Sequence, residues 1–134
     1  SVKESTTYAA DVLASTAELI EAADAWHTER RSEGLEPINV GIAVTSGTIV
    51  FGIIGDEERL EYTILGDCVN LSAKIEKHTK VENVRALASA EVIARARERG
   101  YDSDTQNFRS LPARDVEGVD YQVDLVVLAG QVQD

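Results

Sequence analysis

Residues 59–76 read Arg-Leu-Glu-Tyr-Thr-Ile-Leu-Gly-Asp-Cys-Val-Asn-Leu-Ser-Ala-Lys-Ile-Glu. The stretch begins with a short β-prone run at Tyr62–Leu65, turns at Gly66-Asp67 and continues as a helix over 67–78. On that helix Asn70 and Lys74 stand four residues apart, so an amide and a cation share one face. Such a pair beside a glycine turn has the chemistry to hold an anionic ligand. Asp67 suits the helix start, as a cap or a first-turn anion, better than metal ligation. Cys68, Leu71, Ser72 and Ile75 form the expected buried face.

Outward from this segment the chain alternates helices and short strands. Residues 6–31 carry Ala9, Val12, Leu13, Leu19, Ile20, Ala23 and Trp26 at three- and four-residue spacing, which predicts a long amphipathic helix. Gly34 and Pro37 mark its end. Residues 38–44 and 48–54 are rich in β-branched residues and flank Thr45-Ser46-Gly47, which predicts a hairpin. Residues 56–58 form a charged loop. Residues 84–88 read as a buried strand, and Ser89 caps a helix that ends near Gly100. Residues 108–111 and 119–128 close the chain as strands. His27 and His78 have no partner pattern and are expected at the surface. The order predicts an α+β domain with a mixed, mainly antiparallel sheet. Neither a G-x-x-x-x-G-K-[ST] loop nor a G-x-G-x-x-G loop between strand and helix is present.

Composition narrows the function classes. The 134 residues suit one domain, and 43% hydrophobic content can bury a core. The formal charge of −11 argues against binding nucleic acid or an anionic membrane. One cysteine excludes an internal disulfide, and no Cys/His metal cluster is present. No run is long and apolar enough to cross a bilayer. A cytoplasmic setting without direct membrane contact by this segment is the expectation, with the parent protein free to be membrane-tethered. The chain starts at Ser1 and contains no Met, which fits an excised domain.

Residues 40–76 resemble the catalytic domain of class III adenylyl/guanylyl cyclases. The matching residues are Gly41-Ile42, Gly47, Val50, Gly52, Gly55, Arg59, Tyr62-Thr63, Gly66-Asp67, Val69-Asn70-Leu71, Ala73 and Lys74. Weaker similarity covers Tyr8–Asp11 and Val116–Leu128. The resemblance implies the ferredoxin-like class III cyclase fold, with residues 1–134 as its later part and the upstream metal-binding half absent. It also implies conversion of ATP, or less readily GTP, to a 3′,5′-cyclic nucleotide and pyrophosphate in signal transduction. Two divalent ions, Mg2+ or Mn2+, would be held by aspartates outside this segment. A head-to-tail homodimer would complete the site, so this segment alone is expected to be inactive.

Carried over by position, Thr63 matches the residue that helps read the purine, Asn70 the amide that orients the ribose, and Lys74 the transition-state cation. Two departures stand out. Lys74 replaces the family's arginine and loses its planar fork, and on this basis Lys74→Arg is expected to raise the rate. Glu117 stands where a phosphate-binding cation is usual, and Arg114 is the neighbouring candidate to replace it. The missing half leaves two readings open: a fragment of a longer cyclase, or an inactive cyclase-like module that dimerises or senses nucleotide.

Overall fold

A computed structural model of the chain describes residues 8–37, 39–47, 50–55, 60–98 and 108–131, the stretches 50–55 and 60–65 as backbone. The elements run α1 (Tyr8–Ser32), β1 (Ile42–Val44), β2 (Val50–Gly55), β3 (Leu60–Leu65), α2 (Asp67–Glu82), β4 (Ala86–Ser89), α3 (Ala90–Glu98), β5 (Arg109–Arg114) and β6 (Val123–Ala129). Ser5 and Thr6, either of which could cap the start of the first helix by its hydroxyl, and the charged loop at 56–58 lie outside the described residues.

Four strands form a sheet in the order β1-β4-β6-β5, and β2 and β3 form a separate two-stranded ribbon. β1 runs parallel to β4, while β4–β6 and β5–β6 are antiparallel. The mixed, mainly antiparallel sheet therefore matches the expectation from sequence. The hairpin assignment does not. β1 pairs with β4, Ile42 opposite Ala86 and Val44 opposite Ala88. β2 instead pairs along its whole length with β3, from Val50 opposite Leu65 to Gly55 opposite Leu60. The physical reason lies in residues 45–47, which do not form a tight turn. The Thr45 hydroxyl donates to the Cys68 carbonyl oxygen at 2.8 Å, which draws this segment onto the start of α2.

The sheet is covered on both faces. Ala9, Leu13, Val92, Ile93 and Ala96 from α1 and α3 pack with Val44, Ala88 and Val126. Ile75 of α2 packs with Leu87, Leu111, Val123, Leu125 and Val127. Leu87 and Ala88 are adjacent on β4, as are Leu125, Val126 and Val127 on β6, yet they alternate between the two clusters as the pleat requires. A strand sandwiched in this way needs an almost continuous apolar run, and β6 has one.

Capping follows local chemistry. The Val92 N–H bonds the Ser89 hydroxyl at 3.3 Å, as expected of an N-cap. α2 starts after an extended Gly66 that makes no side-chain cap, so Asp67 occupies the first turn. It ends at Glu82, four residues beyond the predicted limit, and is capped by Asn83 in the left-handed region, φ 58°. That extra turn buries His78, which is thus not a surface residue. Its Nε2 lies 2.8 Å from Glu82 Oε2, a partner that the longer helix supplies. On α1 only Ala9, Leu13 and Thr16 are buried; Val12, Leu19 and Trp26 stay exposed, so the expected stripe is only partly covered.

Candidate active site

Helix α2 is fixed to the sheet through Ile75, which has no solvent exposure. Asn70 and Lys74 lie on the side of the helix away from that anchor. They line an open groove of about 300 Å3 with Asp67, Leu71, Gly118, Val119, Asp120 and Tyr121. One wall is therefore the first two turns of α2. The other is the Val116–Val119 turn between β5 and β6, closed by a bond from the Val119 N–H to the Val116 carbonyl at 3.0 Å.

The pairing of Asn70 and Lys74 read from sequence is thus present in space. Neither side chain has a hydrogen-bond or ion-pair partner among the described residues. Lys74 is half-buried and Asn70 exposed. An amide and an ammonium unpaired among the described residues on one wall of a groove are available to a ligand with anionic and hydroxyl groups. Asp67 and Asp120 bring two carboxylates to the same groove, so its local charge does not by itself attract a bare polyphosphate.

Thr63 sits on β3 with its backbone opposite Gly52. Arg114 ends β5 and is not part of the groove lining. Its Nε lies 3.2 Å from Glu82 Oε2, within ion-pair reach though not in hydrogen-bonding orientation. That same oxygen faces His78 Nε2. The structure therefore brings Asn70 and Lys74 together and directs Arg114 to the far end of α2.

Gly118, Asp120 and Tyr121 were not picked out by sequence reasoning. Tyr121 fits the alternation of a strand, yet β6 begins only at Val123 and Tyr121 is 61% exposed at the groove rim. The available signal was the run Glu-Gly-Val-Asp at 117–120, whose glycine between acidic residues is a turn pattern. Among the described residues no three His, Cys, Asp or Glu side chains converge as a metal site. No described helix is long and apolar enough to cross a membrane.

Comparison with known proteins assigns the family. The model of the adenylate and guanylate cyclase catalytic domain matches residues 2–123, and the chain belongs to that family. It is 30% identical over 113 residues to adenylate cyclase 1 of Rhizobium meliloti (strain 1021), covering 84% of this chain and 16% of that protein. It is 35% identical over 77 residues to an adenylate cyclase of Anabaena cylindrica, covering 54% of this chain and 15% of that protein. The chain thus spans about a sixth of the curated relatives it matches. Among solved structures, the guanylyl cyclase Cya2 superposes with a TM-score of 0.70 at 25% identity, covering 96% of this chain and 61% of the other. The adenylyl cyclase CyaB from P. aeruginosa superposes with a TM-score of 0.71 at 19% identity, covering 99% and 64%, and shows the shared fold.

Proposed function

We propose that this chain supplies one subunit's share of a nucleotide-cyclising site, with ATP favoured over GTP. The observation that carries the reading is the Asn70–Lys74 pair lining the groove, unpartnered among the described residues. In the reaction the ribose 3′-oxygen attacks the α-phosphorus and its proton passes to solvent. The bond from the α-phosphorus to the bridging oxygen breaks, and pyrophosphate leaves with that electron pair. Asn70 holds the ribose so that the 3′-oxygen lies in line. Lys74 balances the charge that grows on the phosphoryl oxygens. Thr63 is the proposed purine contact. Arg114 is the proposed second phosphate cation, and must leave Glu82 to serve. ATP is favoured because the two named relatives are adenylate cyclases. Divalent ions typical of the family would supply charge neutralisation, with their ligands proposed to lie outside this segment. A head-to-tail homodimer is the assembly proposed to bring the two shares together, with residues 1–134 the later part of the catalytic domain.

The test is an assay of the full-length protein with ATP and with GTP, in Mg2+ and in Mn2+, over a concentration series that spans dimer formation. Cyclic AMP and pyrophosphate in equal amounts are expected, with specific activity rising as dimer forms. No cyclic product under any of these conditions overturns the assignment.

One observation favours a second reading, an inactive cyclase-like module. Arg114 is engaged by Glu82, which among the described residues leaves Lys74 as the one cation lining the groove against two carboxylates. That reading expects dimerisation or nucleotide binding without turnover.

A further inference from the structure

The side chain of Lys74 has an unusual seat. Gly118 takes φ +87°, a backbone conformation that strains most L side chains. A Cβ placed on Gly118 would lie 2.9 Å from Lys74 Cε, 2.9 Å from Nζ and 3.1 Å from Cδ. Three consecutive atoms of the lysine therefore lie along the bare Cα of one glycine. Nothing else among the described residues holds the ammonium: Nζ has no hydrogen bond and no ion pair there. A free lysine spreads its head group over many rotamers. Contact with the turn restricts that spread before any ligand arrives.

We propose that Gly118 is a positioning residue for Lys74: its bare Cα is the seat that directs the ammonium into the groove. The inference rests on the cyclase reading of that groove. Gly118 touches no reacting atom and acts only through Lys74. The seat is matched to a slim aminoalkyl chain; a guanidinium is planar and wider, and is expected to crowd the turn at Gly118. The lysine at position 74 and the glycine at 118 thus form a matched pair, and Lys74→Arg is expected to impair the enzyme, the reverse of what the family's arginine alone suggests.

The experiment uses the full-length protein and separates the contact from the backbone conformation. Gly118→Ala adds a Cβ and strains the turn. Gly118→Asn adds a Cβ while tolerating positive φ better than other residues do. Both are expected to lower kcat about 10-fold or more with KM nearly unchanged, as for loss of a transition-state contact. In a Lys74→Ala background the same substitutions are expected to change kcat less than about 2-fold, because the residue they act through is gone. Lys74→Arg with Gly118 intact is expected to lower kcat while retaining the melting temperature, and remains informative if both Gly118 variants fail to fold. Full activity of Gly118→Asn, an equal loss with and without Lys74, or a Lys74→Arg enzyme at least as active as the parent overturns the inference. Each of those results leaves the cyclase reading standing, whereas an unsubstituted protein that forms no cyclic product removes both.

Discussion

The Thr45 hydroxyl donates to the backbone carbonyl of Cys68 at 2.8 Å, and so ties the end of β1 to the first turn of the helix that carries Asn70. The same segment closes in at Gly47, where an added Cβ would stand 2.8 Å from Cys68 Cβ. Gly47→Ala is therefore expected to destabilise the protein by about 1–3 kcal/mol, the usual cost of overpacking. Urea unfolding of the full-length protein checks this. An unchanged midpoint would show that the segment moves aside freely.

Asn70 has no structural partner among the described residues to lose. Asn70→Ala is expected to leave the melting temperature unchanged while lowering turnover about 10²-fold or more, as expected of a group that acts on the transition state. Steady-state kinetics with ATP decide the point. Wild-type kcat and kcat/KM in the variant would remove Asn70 from the site.

Ile75 is the anchor of α2, fully buried against Leu87 and Leu125. Ile75→Ala is expected to cost about 2–5 kcal/mol by lost burial and the cavity left behind. Because Lys74 is its neighbour in sequence, nucleotide affinity should weaken with stability. Denaturant titration and nucleotide binding, measured on the same preparation, test both halves.

Glu82 serves two groups at once, with one oxygen 2.8 Å from His78 Nε2 and 3.2 Å from Arg114 Nε. His78 is 5% exposed at its side chain, so removing the carboxylate strands a buried ring nitrogen. Glu82→Ala is expected to cost about 1–3 kcal/mol, the penalty for an unsatisfied buried polar group. Adding His78→Ala to that variant should recover part of the loss. Independent, additive losses in a double-mutant cycle would show that the two residues are not coupled.

Much of the site was legible because its residues are close in sequence. Asn70 and Lys74 needed only the helical period and a recognisable glycine turn, and the Ser89 cap needed only local chemistry. The hairpin was misread because β-branched runs on either side of a Thr-Ser-Gly segment look alike whether they pair with each other or with distant strands. The Cys68 contact that redirects the segment is not encoded in spacing. His78 was misplaced because its partner depends on α2 reaching Glu82, and helix ends are poorly marked. Gly118 escaped because its role is defined by a lysine far away in the chain. Arg114 was placed by proximity in sequence to the closing strands, and sequence proximity says nothing of the carboxylate that engages it.

The parallel pairing of Val44 with Ala88 encloses the β2–β3 ribbon and the whole of α2 within one chain excursion. Closing such a loop costs entropy before the pairing repays it, whereas β2–β3 and β5–β6 join neighbours along the chain. On this loop-closure argument the local ribbons are expected to form before α2 docks. The groove, which joins α2 to the β5–β6 turn, is thus expected to be among the last features of the chain to take shape.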